Sequence, residues 1–277
     1  MFLQSRRPQG MPRRSRQSGF TLVELSVVLA VIGLIIGAMA IGKDVQRNAE
    51  YTKIKNKFID QWEQAYNQHY QRTGVVVGDS QTAPRLMVNG ANYGSLAVTT
   101  PLSGGDMTAV RPPPRVCDKA EGAFMSPRGT AVVDLRDQMT RAGVRMPPGR
   151  AEGYEDRYVY LDSNGNPQEV QVCFQWNNPG VANNGEGSGN VMIISGLTPD
   201  LARYLDQMVD GKPDAREGRF RQQGVDNGTW NEPGVQWNTN NTFEYSEASS
   251  AWGTVANGFK RDEDQVKTVV AVYKMNQ

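Results

Sequence analysis

The sequence predicts an α+β protein in which one long N-terminal α-helix packs against an antiparallel β-sheet in a globular domain. Three observations predict this fold class: an unbroken apolar run near the N-terminus, a helical periodicity that follows it, and short strand patterns between turn residues after position 75. The 277 residues are 38% hydrophobic and 21% charged, which excludes a polytopic membrane protein.

The apolar run covers residues 20–42 and contains a single charged side chain, Glu24. As a helix it would be roughly 34 Å long, which matches a hydrocarbon core of about 30 Å. Residues 1–19 carry five arginines and no acid. The positive-inside rule therefore predicts a cytoplasmic N-terminus, with the chain after Lys43 on the other side of the membrane.

The basic leader also changes how the net charge is understood. The whole chain has a formal charge of +1, and without residues 1–19 it has a charge of −4. A mildly acidic chain lacks the basic patch that nucleic acid requires, so no nucleic-acid partner is predicted.

The apolar run differs from an ordinary secretory signal, which has a shorter core followed by a small-residue cleavage site. Here a polar-faced helix follows the run, and the better cleavage site lies before it, at Gly19. The stretch Gly19-Phe20-Thr21-Leu22-Val23-Glu24 resembles the processing site of type IV pilins and type II secretion pseudopilins. This resemblance is specific for about the first 55 residues.

The resemblance implies a pilin-like fold and a defined maturation. Prepilin peptidase would cut between Gly19 and Phe20 on the cytoplasmic face and methylate the new N-terminal Phe20. Residues 1–19 would be the leader peptide. Translation from Met11 would shorten that leader to nine residues and leave the same mature product.

Glu24 requires its own explanation, because a carboxylate inside an apolar helix needs a partner or a use. From the residues alone, it could reach the headgroup zone or pair with the Phe20 amine of its own chain. The resemblance implies a third role in assembly, in which Glu24 neutralises the Phe20 amine of a neighbouring subunit.

The helix is predicted to continue past the membrane through residues 43–74 as an amphipathic segment. No proline interrupts it before Gly74, and from Phe20 to Thr73 it would be about 80 Å long. Its predicted apolar face follows helical spacing. That face consists of Val45, Ala49, Thr52, Phe58, Trp62, Ala65 and His69.

Residues 75–277 are predicted to form a periplasmic, β-rich globular domain. Asn-Gly within residues 163–166 predicts a hairpin, and Thr198-Pro199 with Gly211 predicts a capped helix. The remaining predictions are a short helix in 130–143, strands at 191–195 and 266–275, and loops over 79–129 and 212–262.

Cys117 and Cys173 would lie in an oxidising compartment, and their even number favours a disulfide. The alternative is two unpaired cysteines, one of them buried in the strand around residue 173.

No catalytic activity, cofactor or metal is predicted. His69 is the single histidine and lies on the helix, where a packing role is expected. Acids between 200 and 217 lack a known calcium-loop spacing and are predicted to be solvated: Asp200, Asp206, Asp210, Asp214 and Glu217. The tail aromatics could form a contact surface or buried anchors: Trp230, Trp237, Tyr245 and Trp252.

The sequence therefore predicts a structural subunit, more specifically a minor one, of a type IV pilus or a type II secretion pseudopilus. Its expected partners are prepilin peptidase, other pilin or pseudopilin subunits and the inner membrane, which it would cross once before entering the filament. The alternative is a periplasmic binding protein or adhesin that uses the helix only as a tether. A tether needs only apolar residues, whereas assembly needs the Gly19-Phe20 site and Glu24.

Overall fold

The computed structural model describes residues 19–96, 110, 112–118, 133–179, 187–225, 236–237, 242–245 and 260–276. The chain divides into two compact units, Met1–Arg47 and Asn48–Gln277. A long N-terminal apolar helix is followed by an antiparallel five-stranded sheet in a globular unit. The predicted α+β class is confirmed.

The N-terminal helical segment runs without interruption to Thr73, as its sequence predicts. It consists of α1 (Leu22–Ile54), one π-helical turn (Lys55–Ile59) and α2 (Asp60–Thr73). Gly74 ends it with a φ of 75° and donates its N–H to the carbonyl of Tyr70 at 2.8 Å. Only glycine adopts this left-handed conformation without steric cost.

The π-helical turn was not predicted, because no residue type marks such a turn. It widens the helix locally by one residue, and both Phe58 and Ile59 are buried there. Across it, the Lys55 ammonium contacts both carboxylate oxygens of Asp60 at 2.9 Å.

The predicted apolar face is confirmed in its C-terminal part and wrong at its start. The buried members are Phe58, Trp62, Ala65 and His69. Val45 and Ala49 are exposed, Thr52 is half-buried, and the buried face begins at Tyr51 and Ile54. Periodicity identifies residues that share a helix face, but it does not show where packing begins, and the π-turn interrupts the period after Thr52.

The globular unit is built on a sheet of order β1-β2-β3-β7-β4, in which every neighbouring pair is antiparallel. Its strands are β1 (Arg157–Leu161), β2 (Pro167–Asn177), β3 (Gly189–Leu197), β4 (Phe220–Gln222) and β7 (Val269–Lys274). A second sheet pairs β5 (Thr242–Tyr245) with β6 (Lys260–Val266). After α2, the described residues also form a 3-10 helix (Gly90–Leu96) and the helices α3 (Leu135–Arg141) and α4 (Pro199–Asp210).

Elements with strong local signals were predicted correctly. Residues 162–166 connect β1 to β2, and Gly165 has the positive φ (85°) that the Asn-Gly turn requires. In α4, the Thr198 hydroxyl accepts the N–H of Leu201, and Gly211 ends the helix with a φ of 78°.

The loop predictions for 79–129 and 212–262 are wrong in part. The first range contains the 3-10 helix, and the second contains β4, β5 and the start of β6. Strands of three or four residues are too short to show an alternating pattern. The first residues of β6 are all charged, so they carry no apolar signal.

The core lies where α2 packs on the sheet. The rings of Trp62 and Tyr66 lie 6.2 and 5.0 Å from the ring of Phe174 on β2. The Trp62 indole N–H also donates to the carbonyl of Glu155 at 3.2 Å. Fully burying one such aromatic side chain contributes about 1.5–3 kcal/mol, so this contact anchors the helix to the sheet.

Candidate functional site

The first turn of α1 is closed by reciprocal hydrogen bonds between Thr21 and Glu24. The Thr21 hydroxyl oxygen accepts the backbone N–H of Glu24 at 3.2 Å. In return, Glu24 Oε2 accepts the backbone N–H of Thr21 at 2.9 Å and its hydroxyl at 2.8 Å. This arrangement is a capping box, which satisfies N–H groups that have no partner inside the helix.

The capping box gives the Glu24 carboxylate a hydrogen-bonding role within its own chain, and this role was not predicted. The sequence does contain the pattern of a capping box, because Thr-x-x-Glu precedes an apolar run. Only Oε2 is engaged within the described residues, and Oε1 accepts no hydrogen bond there. The carboxylate therefore holds the helix start and still presents one oxygen outward.

The predicted cleavage residues directly precede this turn. Gly19 and Phe20 are both exposed and lie outside the helix, and Phe20 is 88% exposed. The structure thus places Gly19 and Phe20 in exposed, non-helical backbone directly before the capping box.

The surface of the chain from Phe20 to Ile41 is apolar, and no described residue covers it. Fourteen large apolar side chains in this range are between 46% and 88% exposed: Phe20, Leu22, Val23, Leu25, Val27, Val28, Leu29, Val31, Ile32, Leu34, Ile35, Ile36, Met39 and Ile41. Such a surface is not stable in water and requires lipid or other protein helices around it.

The same helix is the one candidate membrane span among the described residues. The helical segment Leu22–Thr73 contains a stretch of mean hydropathy 2.6 that none of the described residues buries. Its length and composition therefore fit a membrane anchor.

Comparison with known proteins agrees with this geometry. Residues 14–40 match the family model described as the prokaryotic N-terminal methylation motif. The chain is also 29% identical over 117 residues to the fimbrial protein EcpC of Eikenella corrodens, covering 42% of this chain and 76% of that protein. These two likenesses support a type IV pilin-family protein. No solved structure matches it.

The similarity to pilins agrees with the exposed apolar helix. A pilin-like structural subunit has such a helix, which fits both membrane anchoring and assembly with other subunits into a fimbria. Lipid would cover the apolar surface of α1 in the membrane, and the helices of other subunits would cover it in a fimbria.

The two cysteines are bonded, as predicted. Cys117 and Cys173 form a disulfide with a Cα–Cα distance of 4.5 Å and a sequence separation of 56. The adjacent Val116 and Phe174 exchange two backbone hydrogen bonds, at 2.7 and 2.9 Å. The disulfide therefore fastens the segment around residue 117 to β2.

The prediction that the acids between 200 and 217 are solvated is wrong for two of them. Asp206 and Asp214 are buried. Asp206 Oδ2 accepts the backbone N–H of Asp214 and the indole N–H of Trp237, both at 2.6 Å. Burial raises the pKa of Asp206 to about 7, against the opposing effect of these hydrogen bonds.

The tail aromatics were predicted to form either a contact surface or buried anchors, and the structure distinguishes these alternatives for Trp237. It is buried against Phe220, with ring centroids 5.6 Å apart, and is fixed by Asp206. Trp237 is therefore a buried anchor. Trp230 and Trp252 lie outside the described residues.

His69 has the packing role that was predicted. It is buried in α2, and its Nδ1 lies 3.2 Å from the carbonyl of Val75. Burial lowers its pKa, so the neutral ring is favoured near pH 7.

Proposed function

We propose that this protein is a minor structural subunit of a type IV pilus, with a type II secretion pseudopilus as the second candidate assembly. The observation that carries the proposal is the accessible Gly19-Phe20 bond directly before a capped, uncovered apolar helix. The likeness to a fimbrial protein favours the pilus. The large globular part favours a minor subunit.

In the proposed maturation, prepilin peptidase cuts after Gly19 and methylates Phe20. Before the cut, the basic leader holds the N-terminus in the cytoplasm, and the globular unit lies in the periplasm. After the cut, a cationic amine lies four residues before Glu24. Oε1, which is not used by the capping box, is available to a neighbour's amine when the helix enters the filament.

The proposed role is structural and not enzymatic. The single histidine is used in packing, and the buried carboxylate of Asp206 is used to hold Trp237 and a loop. A binding protein or adhesin tethered by its helix is the alternative. It is supported only by the large globular part. It does not explain why Glu24 and the Gly19-Phe20 cleavage motif occur together.

Cell fractionation distinguishes these functions. Surface filaments are sheared from cells that make the protein, type II pseudopili are purified separately, and each fraction is probed beside the membrane. We expect the protein in sheared pili, at a small fraction of the major subunit, and its absence from filaments in cells without prepilin peptidase. Presence only in pseudopili would support the second candidate. Absence from every filament, with normal membrane levels, would support the tether.

A further inference from the structure

The five-stranded sheet has two edge strands, β1 and β4. They differ in how far other described residues form hydrogen bonds with their outward backbone groups. An edge strand exposes backbone N–H and C=O groups that another extended chain can pair with. At β4 these groups are already used. Phe220 N–H donates to Asp210 Oδ2 at 2.8 Å, and Gln222 N–H donates to the carbonyl of Ala215 at 2.7 Å.

The register shows which groups of β1 point outward. Val172 N–H donates to the carbonyl of Asp156, and Asp162 N–H donates to the carbonyl of Asn166, both at 2.9 Å. Antiparallel hydrogen bonding alternates with a period of two, so the even-numbered residues of β1 face β2. The backbone groups of Val159 and Leu161 therefore point away from the sheet.

Among the described residues, backbone hydrogen bonds cover this edge at its first residue alone. Arg157 donates its N–H to the carbonyl of Tyr154, and its own carbonyl accepts the N–H of Arg150. Within the described residues, no backbone hydrogen bond covers the outward groups of Val159 and Leu161. Two donors and two acceptors in a row therefore have no backbone partner in the part of the chain that the structure describes.

The side chains beside these open groups are apolar and exposed. Val159 is 42%, Leu161 52% and Tyr154 40% exposed. Among the described residues after α1, the other large apolar side chains with such exposure are Leu86 and Met208. At one end of the edge, Arg150 and Arg157 contact the carboxylate of Glu169 at 2.6 and 2.8 Å, and Arg157 also lies 3.8 Å from Asp156 Oδ1.

We propose that β1 accepts an extended segment of a neighbouring filament subunit, which pairs with Val159 and Leu161. Open backbone groups select an extended polypeptide, and the exposed apolar side chains select apolar partners. Subunits of one filament share a polarity and are not related by a two-fold axis, so the occupant differs from β1 itself. This inference rests on the proposed function.

Hydrogen exchange at single-residue resolution tests the pairing directly. The full-length protein extracted from membranes in detergent is compared with the same protein in sheared filaments. We expect exchange of the Val159 and Leu161 amides to slow at least about tenfold in filaments, while the Tyr158 and Tyr160 amides, which already face β2, change little. If the Val159 and Leu161 amides exchange at the same rate in detergent and in a filament that contains the protein, the inference is overturned and the proposed function remains intact.

A proline at position 159 provides the matching genetic test. Val159→Pro removes an N–H that points away from β2, which an edge strand tolerates, whereas Val159→Thr keeps the N–H and the β-branch. We expect Val159→Pro to be depleted at least about tenfold from filaments at normal membrane levels, and Val159→Thr to assemble within about twofold of wild type. Normal assembly of Val159→Pro overturns the inference. If wild type itself is absent from all filaments, the proposed function fails.

Discussion

Glu24→Ala should remain in the membrane at normal levels and be depleted from filaments by at least about tenfold. Removing a charge from an apolar helix makes insertion into lipid easier, so the membrane form should not suffer. Assembly should suffer, because a neighbour's Phe20 amine would enter an apolar filament core without its partner. The abundance of the variant is measured in sheared filaments and in membranes of the same cells.

The capping box makes a sharper version of this experiment possible, because it gives Glu24 two separable roles. Glu24→Gln keeps a side-chain oxygen that can cap Thr21 but removes the charge. Thr21→Ala keeps the charge and removes the hydroxyl that caps Glu24 N–H. If the charge matters, Glu24→Gln fails as Glu24→Ala does, and Thr21→Ala assembles within about twofold of wild type.

The opposite pattern would show that Glu24 serves only to start the helix. In that case Glu24→Gln would assemble normally, and Thr21→Ala would be depleted. The N-terminal peptide of each membrane-bound variant is sequenced as a control, so that a defect in cleavage is not taken for a defect in assembly.

Replacing both Cys117 and Cys173 by alanine should lower the free energy of unfolding by about 4 kcal/mol. The disulfide closes a long loop, and opening it restores conformational entropy to the unfolded chain. Urea unfolding of the intact protein in detergent should show a midpoint lower by about 2 M, for a typical slope of about 2 kcal/mol per M.

A reductant supplies the control for the disulfide experiment. Wild type in dithiothreitol should unfold at the midpoint of the double variant, and the double variant should not respond to dithiothreitol. A double variant as stable as the oxidised wild type would show that the bond adds nothing to the stability of the fold.

The parts of this fold that the sequence could predict are those specified by neighbouring residues. Asn164-Gly165 determines the β1–β2 turn through its backbone angles, and Thr198 with Pro199 determines the start of α4. The apolar run of α1 is likewise a local property. Even the missed role of Glu24 was visible three residues away, at Thr21.

The features that could not be predicted depend on residues far apart in the chain. Asp206 is buried because it accepts N–H groups from Asp214 and from Trp237, 31 positions away, and nothing near Asp206 indicates that distant indole. The strand β4 exists because β7 and the carboxylate of Asp210 hold its backbone. The open edge of β1 likewise follows from strand order and register, which periodicity does not provide.

Whether this protein is a processed filament subunit is tested most directly by the mass of its N-terminal peptide in sheared filaments. We expect a chain that begins at Phe20 and carries one methyl group on its amine. A filament-bound chain that retains residues 1–19, or a mature chain that begins after residue 42, would contradict it.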